Sequence, residues 1–266
     1  MYGAMQSVML CTGVSLTVYQ AGTGPDVLLL HGTAGSASDW FVQMTQLVDA
    51  GFRVTVPDGR GHGTSDRALD YSNDAIMHDA HALIEQLGLI TPHVIGFSMG
   101  GTQGLALACM HPHVVRSVVL EDPAILPIGR DANAVNARRD AWARDLHQWL
   151  TMSHAELVAY KRSHTPHWSE DALHNWAYAR RHVDPEVLQW LEALRTPVWD
   201  WLQPVAVPML MLSCEPNRGG VVQKDFVDAL CAYMPHMENV VIAHAAHEIH
   251  HDQPDAFIHA VRAFLK

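Results

Sequence analysis

The chain has 266 residues, of which 48% are hydrophobic, and its 17 Lys and Arg against 28 Asp and Glu give a formal net charge of −11. A chain of this length can bury a sizeable core without a disulfide or metal scaffold. The acidic balance, with no run of five basic residues, argues against nucleic acid and anionic membranes as partners and leaves a small-molecule substrate as the expected one.

The four cysteines are far apart in the chain and form no C-x-x-C pair. Sparse cysteine of this kind is typical of a reduced intracellular protein. The first ten residues, MYGAMQSVML, lack the basic and apolar segments of a signal peptide, and no apolar run approaches the ~18 residues of a membrane span. We therefore expect a cytoplasmic protein; the sequence gives no indication of its oligomeric state.

Short apolar runs alternate with amphipathic helical patterns along most of the chain. The runs that predict buried strands are, in chain order, DVLLLHG, FRVTVPDGRG, HVIGFS, SVVLEDP, VPMLMLSCE and NVVIAHAAH. The patterns that predict helices are SDWFVQMTQLVDAG, SNDAIMHDAHALIEQLGL, MGGTQGLALACMH, GVVQKDFVDALCAYM and DAFIHAVRAFLK. Gly51 and Gly88 stand where a C′ glycine ends a helix. This alternation predicts an α/β fold with a mostly parallel, doubly wound sheet.

The stretch from residue 125 to 203 breaks the alternation, because it contains helical patterns and no buried-strand run. Seven of the eight tryptophans lie in it. They are Trp142, Trp149, Trp168, Trp176, Trp190, Trp199 and Trp201. An ordinary helical subdomain would bury such aromatics, but we interpret residues 125–203 as a helical cap inserted into an α/β core of residues 1–124 and 204–266. The underside of the cap would form an apolar pocket over the edge of the sheet.

The segment GFSMGG, residues 96–101, carries the strongest chemical motif. It is G-x-S-x-G between a predicted strand and a predicted helix, the context of a nucleophile elbow. The turn is so tight that Gly96 and Gly100 must be almost bare, and the free amides of the following helix favour negative charge near Ser98. Ser98 is therefore the candidate nucleophile, the alternative being a chance glycine-rich turn.

At this point the chain resembles the α/β-hydrolase family over nearly its whole length. The segment LLLHGTAG looks like the family's oxyanion strand and loop, PDGRGHGTSD like its D-x-R-G-x-G-x-S turn, and GFSMGG like its elbow. AHAAHEIHHDQPDAF resembles its terminal G-x-G-H…P-x-x-F segment, with Ala246 where glycine is common. The motifs occur in family order, so together they are far more specific than any one of them.

The stretch HEIHH, His247 to His251, also fits the H-E-x-x-H pattern of a zinc site. That site requires both histidines on one continuous helix, whereas the resemblance puts His247 on a loop at the carboxyl edge of the sheet. Pro254 follows closely, and no third ligand stands at the expected spacing. We therefore predict no metal and no cofactor, and His247 as the base that activates Ser98.

The resemblance implies a triad acid and two oxyanion amides besides these residues. The amides would belong to Met99 and Thr33. The acid is expected just after VPMLMLS, where Glu215 is the only carboxylate, so Glu215 is preferred. Asp122, at the end of the strand SVVLE, is the alternative acid, and Glu121 beside it is a poorer one because strand alternation points it the other way.

These residues predict a serine hydrolase that cleaves a carboxylic ester with an apolar or aromatic substrate through an acyl-enzyme. A serine at the elbow argues against the haloalkane dehalogenase and epoxide hydrolase branches, which resemble this chain elsewhere but use aspartate there. A lactonase or a carbon–carbon bond hydrolase would carry the same triad. A small-molecule receptor with slow turnover is the alternative from a different class, because a fold alone does not determine function.

Overall fold

The computed structural model describes residues 3–125, 132–195, 202–215 and 217–266. Within these ranges, eight strands form one sheet in the order β1-β2-β4-β3-β5-β6-β7-β8. The strands are β1 (Ala4–Met9), β2 (Ser15–Ala21), β3 (Asp26–Leu30), β4 (Arg53–Pro57), β5 (His93–Phe97), β6 (Ser117–Glu121), β7 (Met209–Cys214) and β8 (Met237–Ile242). The strand β2 runs in the opposite direction to the other seven, so the carboxyl ends of β3 to β8 meet at one edge.

Helices cover both faces of this sheet. They are α1 (Phe41–Asp49), α2 (Asn73–Leu87), α3 (Met99–Met110), α4 (Ala132–Thr151), α5 (His154–His164), α6 (Glu170–Arg181), α7 (Lys224–Tyr233), α8 (Ile249–Asp252) and α9 (Pro254–Phe264), with 3₁₀ turns at Ala37–Trp40 and Pro185–Arg195. Successive strand residues alternate between two apolar clusters: Leu28 packs with α2, α3 and α7, and Leu29 packs with α1 and α9. The predicted mostly parallel, doubly wound α/β fold is confirmed.

The six predicted strands correspond to β3–β8, and the five predicted helices to α1, α2, α3, α7 and α9. The sequence reading missed β1 and β2. Their faces are partly exposed, so no continuous apolar run marks them. It also placed the end of the last strand at His247, whereas β8 ends at Ile242 and a loop carries the chain on to His247.

Between β6 and β7 the described chain is helical, as the tryptophan-rich stretch predicts. Its elements are α4, α5, α6 and the 3₁₀ turn Pro185–Arg195, and Trp168 and Trp176 pack between α5 and α6. The segment contacts the loop after β4, where the Asp184 amide donates to the Gly61 carbonyl at 2.7 Å. Trp199 and Trp201 lie outside the described residues. In the part of the chain that the structure describes, no helix combines the length and apolar character needed to cross a bilayer.

Candidate active site

Ser98 occupies a strained turn between β5 and α3. Its φ is 51° and its ψ is −110°, a backbone conformation that costs a non-glycine residue free energy and that recurs at functional sites. A Cβ on Gly96 would lie 2.0 Å from the Gly100 oxygen, and one on Gly100 would lie 2.2 Å from the Leu30 oxygen. The turn therefore closes only with glycine at both positions, which is the strand–turn–helix geometry that the motif predicts.

Asp122 follows β6, the strand beside β5, and holds the ring of His247. The His247 Nδ1 lies 2.5 Å from Asp122 Oδ2. The carboxylate also accepts hydrogen bonds from the amides of Val221, at 2.8 Å, and Val222, at 2.9 Å. This fully buried carboxylate accepts a hydrogen bond from the N–H at Nδ1. The other ring nitrogen, Nε2, therefore carries the lone pair and can accept a proton.

Glu215, the preferred acid, does not contact the ring of His247. Its carboxylate accepts a hydrogen bond from the His244 amide at 3.0 Å and pairs with Arg218 at 2.9 Å. His244 has a φ of 63°, so Glu215 supports the tight turn after β8. The expected pairing of Glu215 with His247 is therefore wrong, and the structure pairs His247 with the alternative, Asp122. The family spacing after β7 pointed to Glu215, whereas the carboxylate that contacts the ring follows β6.

The loop after β3 lies against the elbow. A Cβ on Gly32 would stand 3.3 Å from the Ser98 Cβ, which places the neighbouring Thr33 next to the nucleophile. Met99 is the first residue of α3, so its amide has no acceptor within the helix. The Thr33 hydroxyl is buried and has no hydrogen-bond partner in the described chain. The two residues that the resemblance assigns to the oxyanion hole thus flank Ser98.

Two buried histidines hold this loop in place. The His31 Nε2 accepts a hydrogen bond from the Gly59 amide at 2.8 Å, and the His62 Nε2 accepts one from the Ala34 amide at 3.2 Å. Burial, and next the nearby His31, lower the pKa of His62 well below its usual range. A neutral His62 can keep accepting that hydrogen bond across the physiological pH range.

The two histidines of the H-E-x-x-H pattern do not share a helix. His247 precedes α8, a single turn that begins at Ile249, and His251 lies inside that turn. His250 Nδ1 lies 2.8 and 2.9 Å from the two carboxylate oxygens of Glu121. Within the described ranges, no group of three or more His, Cys, Asp or Glu side chains is arranged to hold a metal ion.

Asp252 is a site residue that the sequence reading missed. One of its carboxylate oxygens accepts from the Ala246 amide at 2.7 Å. The other accepts from the Trp168 indole at 2.7 Å and lies 3.0 Å from the His167 ring. Asp252 therefore ties the loop that carries His247 to the helical segment between β6 and β7. The sequence feature that could have identified Asp252 is its position in the terminal HHDQP segment, close to His247.

A buried group of charged side chains, also missed, lies where that helical segment meets the core. Lys161 and Arg180 come from α5 and α6, while Asp39 and Glu248 come from the loops after β3 and β8. Lys161 donates a hydrogen bond to Glu248, the residue after His247. The cations also stack on aromatic rings, Lys161 on Trp168 at 4.0 Å. The tryptophans of this segment led us to expect an apolar pocket, but charged side chains lie beside them.

Comparisons with known proteins agree with this architecture. The sn-1-specific diacylglycerol lipase ABHD11 of Mus musculus is 27% identical over 257 residues, 91% of this chain and 81% of that protein. An epoxide hydrolase of Caballeronia sordidicola is 33% identical over 109 residues, 40% of this chain and 33% of that protein. The crystal structure of E-2-(acetamidomethylene)succinate hydrolase superposes with a TM-score of 0.85 at 23% identity and covers 98% of both chains. The model of the alpha/beta hydrolase fold family matches residues 25–254, so the chain belongs to the α/β-hydrolase family.

Proposed function

We propose that this α/β hydrolase is a serine hydrolase that cleaves a carboxylic ester through an acyl-enzyme. The observation that carries the proposal is the 2.5 Å hydrogen bond between His247 and the fully buried Asp122. The His247 ring centroid lies 4.7 Å from that of Phe97, the residue that precedes Ser98 at the strained elbow. A nucleophile, a base and an acid that orients the base are the parts that acyl transfer by serine requires.

The proposed reaction has two halves. The Ser98 hydroxyl attacks the ester carbonyl while the His247 Nε2 takes its proton, and Asp122 stabilises the imidazolium that forms. The amides of Met99 and Thr33 donate to the oxyanion, and His247 then gives the proton to the departing alcohol. Water, activated by His247, attacks the acyl-enzyme, which releases the carboxylic acid and regenerates Ser98. One ester and one water become one acid and one alcohol.

The residue at the elbow separates this proposal from epoxide hydrolysis, the activity in the name of one relative. The epoxide hydrolase branch attacks with an aspartate carboxylate, whereas this chain has Ser98 there. A serine hydroxyl that is activated by histidine suits attack on a carbonyl carbon. The substrate is therefore proposed to contain an ester carbonyl and not an epoxide ring.

We further propose that residues 125–203 act as a cap over the site. The Trp168 indole donates to Asp252 at 2.7 Å, and Asp252 in turn binds the loop of His247. The Ser38 hydroxyl donates to the carbonyl of Asn175 on α6 at 3.4 Å, beside the loop of Thr33. The helical segment thus contacts both loops that flank Ser98, which is the placement that a cap requires.

The test is release of p-nitrophenol from acetate, butyrate and octanoate esters by the wild type and by Ser98→Ala. We expect turnover by the wild type and a loss of at least about a thousandfold in kcat in the variant, because the nucleophile is removed. Ser163→Ala, at an exposed serine on α5 far from the triad in sequence, is the matched control and should keep wild-type rates. A wild type that is inert on all three esters, or a Ser98→Ala protein that keeps its rate, would contradict the proposal.

A further inference from the structure

Arg180 is a buried cation whose guanidinium is poorly satisfied. The residue is 6% exposed, and its Nε has no hydrogen-bond partner among the described residues. The nearest carboxylate oxygens lie 3.9 Å from its Nη1, in Asp39, and 3.5 Å from its Nη2, in Glu248. A good bond between a guanidinium and a carboxylate is about 2.7–2.9 Å long. The buried Nε thus lacks an acceptor, and the two carboxylate contacts of the Nη atoms are longer than a good hydrogen bond.

Each of the two neighbouring carboxylates has one oxygen engaged by another donor, and the other oxygen of Asp39 is buried without a partner. Glu248 accepts a hydrogen bond from Lys161. Asp39 accepts one from the Ser36 amide at 3.2 Å, and burial raises the pKa of Asp39 even though Arg180 lies beside it. The charge of Arg180 is therefore only partly balanced. A buried ion pair offsets the cost of desolvation only when its geometry is good, and these two contacts are long.

The position of Arg180 relates it to the catalytic residues. Asp39 belongs to the 3₁₀ turn that follows the Thr33 loop, and a Cβ on Gly35 would lie 2.6 Å from its carboxylate. Glu248 directly follows His247. Because Arg180 lies between these two acids, it bridges the two loops that flank Ser98, and it approaches them from α6 of the proposed cap. The Arg180 Cζ lies over the Trp176 ring, 4.4 Å from its centroid, which restricts the position of the fork.

We propose that Arg180 binds a carboxylate group of the substrate, so that the substrate is an ester which also carries a free carboxylate. Two parallel N–H groups of a guanidinium match the two oxygens of a carboxylate, and a planar fork held on an aromatic ring is preorganised for that contact. This inference rests on the proposed function of Ser98, because it names the class of substrate that the same site takes.

A purely structural Arg180, which only holds α6 against the core, is the competing explanation. Such a residue would contribute to stability through its contacts with Trp176, Glu248 and Asp39. It would not make the enzyme distinguish a charged substrate from a neutral one of the same length. Discrimination between two matched esters therefore separates the two explanations, whereas a change in stability does not.

The experiment compares mono-p-nitrophenyl adipate with its methyl ester, which has the same chain but no charge. We expect the wild type to prefer the anionic ester at least about tenfold in kcat/KM, chiefly through KM. In Arg180→Gln the ratio should fall to about one, whatever happens to the absolute rates, and Arg180→Lys should retain part of it because it keeps the charge without the fork. Arg181→Gln, at the exposed neighbour on the same helix, should keep the wild-type ratio. A wild-type ratio near one, or a full preference in Arg180→Gln, would overturn the inference.

A binding measurement separates this inference from the proposed function. Adipate, with adipamide as the neutral control, is titrated calorimetrically into Ser98→Ala and into Ser98→Ala with Arg180→Gln. Adipate binding that weakens at least tenfold in the double variant supports the carboxylate site even if no ester is turned over. Ester turnover with no binding of adipate to Ser98→Ala would overturn the site while leaving the hydrolase intact. Should Arg180→Gln fail to fold, the wild-type ratio and adipate binding to Ser98→Ala decide on their own.

Discussion

Asp122 and Glu215 show how local surroundings give two carboxylates different roles. Asp122 is fully buried and accepts hydrogen bonds from the His247 ring and from two backbone amides. The Glu215 side chain is 36% exposed and serves the turn at His244. Only the first of these arrangements holds an imidazole in one tautomer and stabilises its charged form.

The consequence is a testable difference between two conservative substitutions. Asp122→Asn should lower kcat on p-nitrophenyl esters by about three to four decades, because an amide at this position favours the wrong tautomer of His247. Glu215→Gln keeps an oxygen acceptor for the His244 amide and should stay within a few fold of the wild type. Steady-state kinetics of both proteins check this. If Glu215→Gln lost activity and Asp122→Asn kept it, the assignment of the acid would be reversed.

At this same scale, the elbow of Ser98 was predictable from the sequence and the carboxylate partner of His247 was not. The elbow is a local pattern, because the tight turn demands glycines at fixed offsets from the serine. That partner is defined by a contact between Asp122 and His247, which are 125 positions apart in the chain. Two carboxylates stood at plausible strand ends, and only packing decides which of them reaches the ring. The same holds for Arg180, whose buried Nε without a partner is visible only in three dimensions.

At the scale of elements, five of the six predicted strands, β3 to β7, are mostly buried on both faces, whereas β8 is exposed at four of its six positions. The strands β3, β5 and β6 are buried at every position, which produces continuous apolar runs. The strands β1 and β2 form an antiparallel edge with exposed positions, so their signal is weaker. The cap segment gave a helical pattern but no indication of its contacts, because hydrogen bonds such as that from Trp168 to Asp252 depend on how the helices pack.

The loop from Ile242 to α8 carries His247, the proposed base, and Asp252 fixes this loop to the helical segment. Asp252→Asn should lower kcat by about tenfold and the free energy of unfolding by about 1–3 kcal/mol, because an amide cannot accept every hydrogen bond that the buried carboxylate accepts. Kinetics and urea unfolding measure the two effects. Asp255→Asn, at an exposed position in the first turn of α9, is the control. Equal effects of the two substitutions would argue against a role for Asp252 in holding the loop.

At the scale of the whole molecule, the buried charges join the proposed cap to the core. Glu248 comes from the core and binds Lys161 on α5, and Arg180 on α6 lies nearby. His247 and Asp39 also interact electrostatically with the Glu248 carboxylate. Burial alone would raise the pKa of Glu248, but the charges of Lys161 and Arg180 outweigh burial and lower it to about 2. The link between the two parts of the molecule therefore depends on a carboxylate that stays ionised far into the acid range.

This link predicts how stability depends on pH. A carboxylate whose pKa falls from 4.5 in the unfolded chain to about 2 in the folded one stabilises the fold above pH 4.5, by about 3 kcal/mol. That contribution is lost as the pH falls towards 2, because the folded state then takes up the proton as well. Glu248→Gln should thus be less stable than the wild type at pH 7, and the difference in free energy of unfolding should shrink between pH 4.5 and pH 2. Titrating groups outside this charged group are present in both proteins and cancel in that difference, whereas the pKa of Asp39, which the charge of Glu248 raises, falls in the variant.

Urea unfolding of the wild type and Glu248→Gln, at intervals from pH 7 to pH 3, measures this difference directly. Glu238→Gln, at an exposed position on β8, is the control and should follow the wild type throughout. A difference between wild type and Glu248→Gln that stayed constant down to pH 3 would mean that ionisation of Glu248 contributes nothing to stability. The cap would then be held on the core by Asp252 and apolar packing, and the charge of Arg180 would be balanced without Glu248.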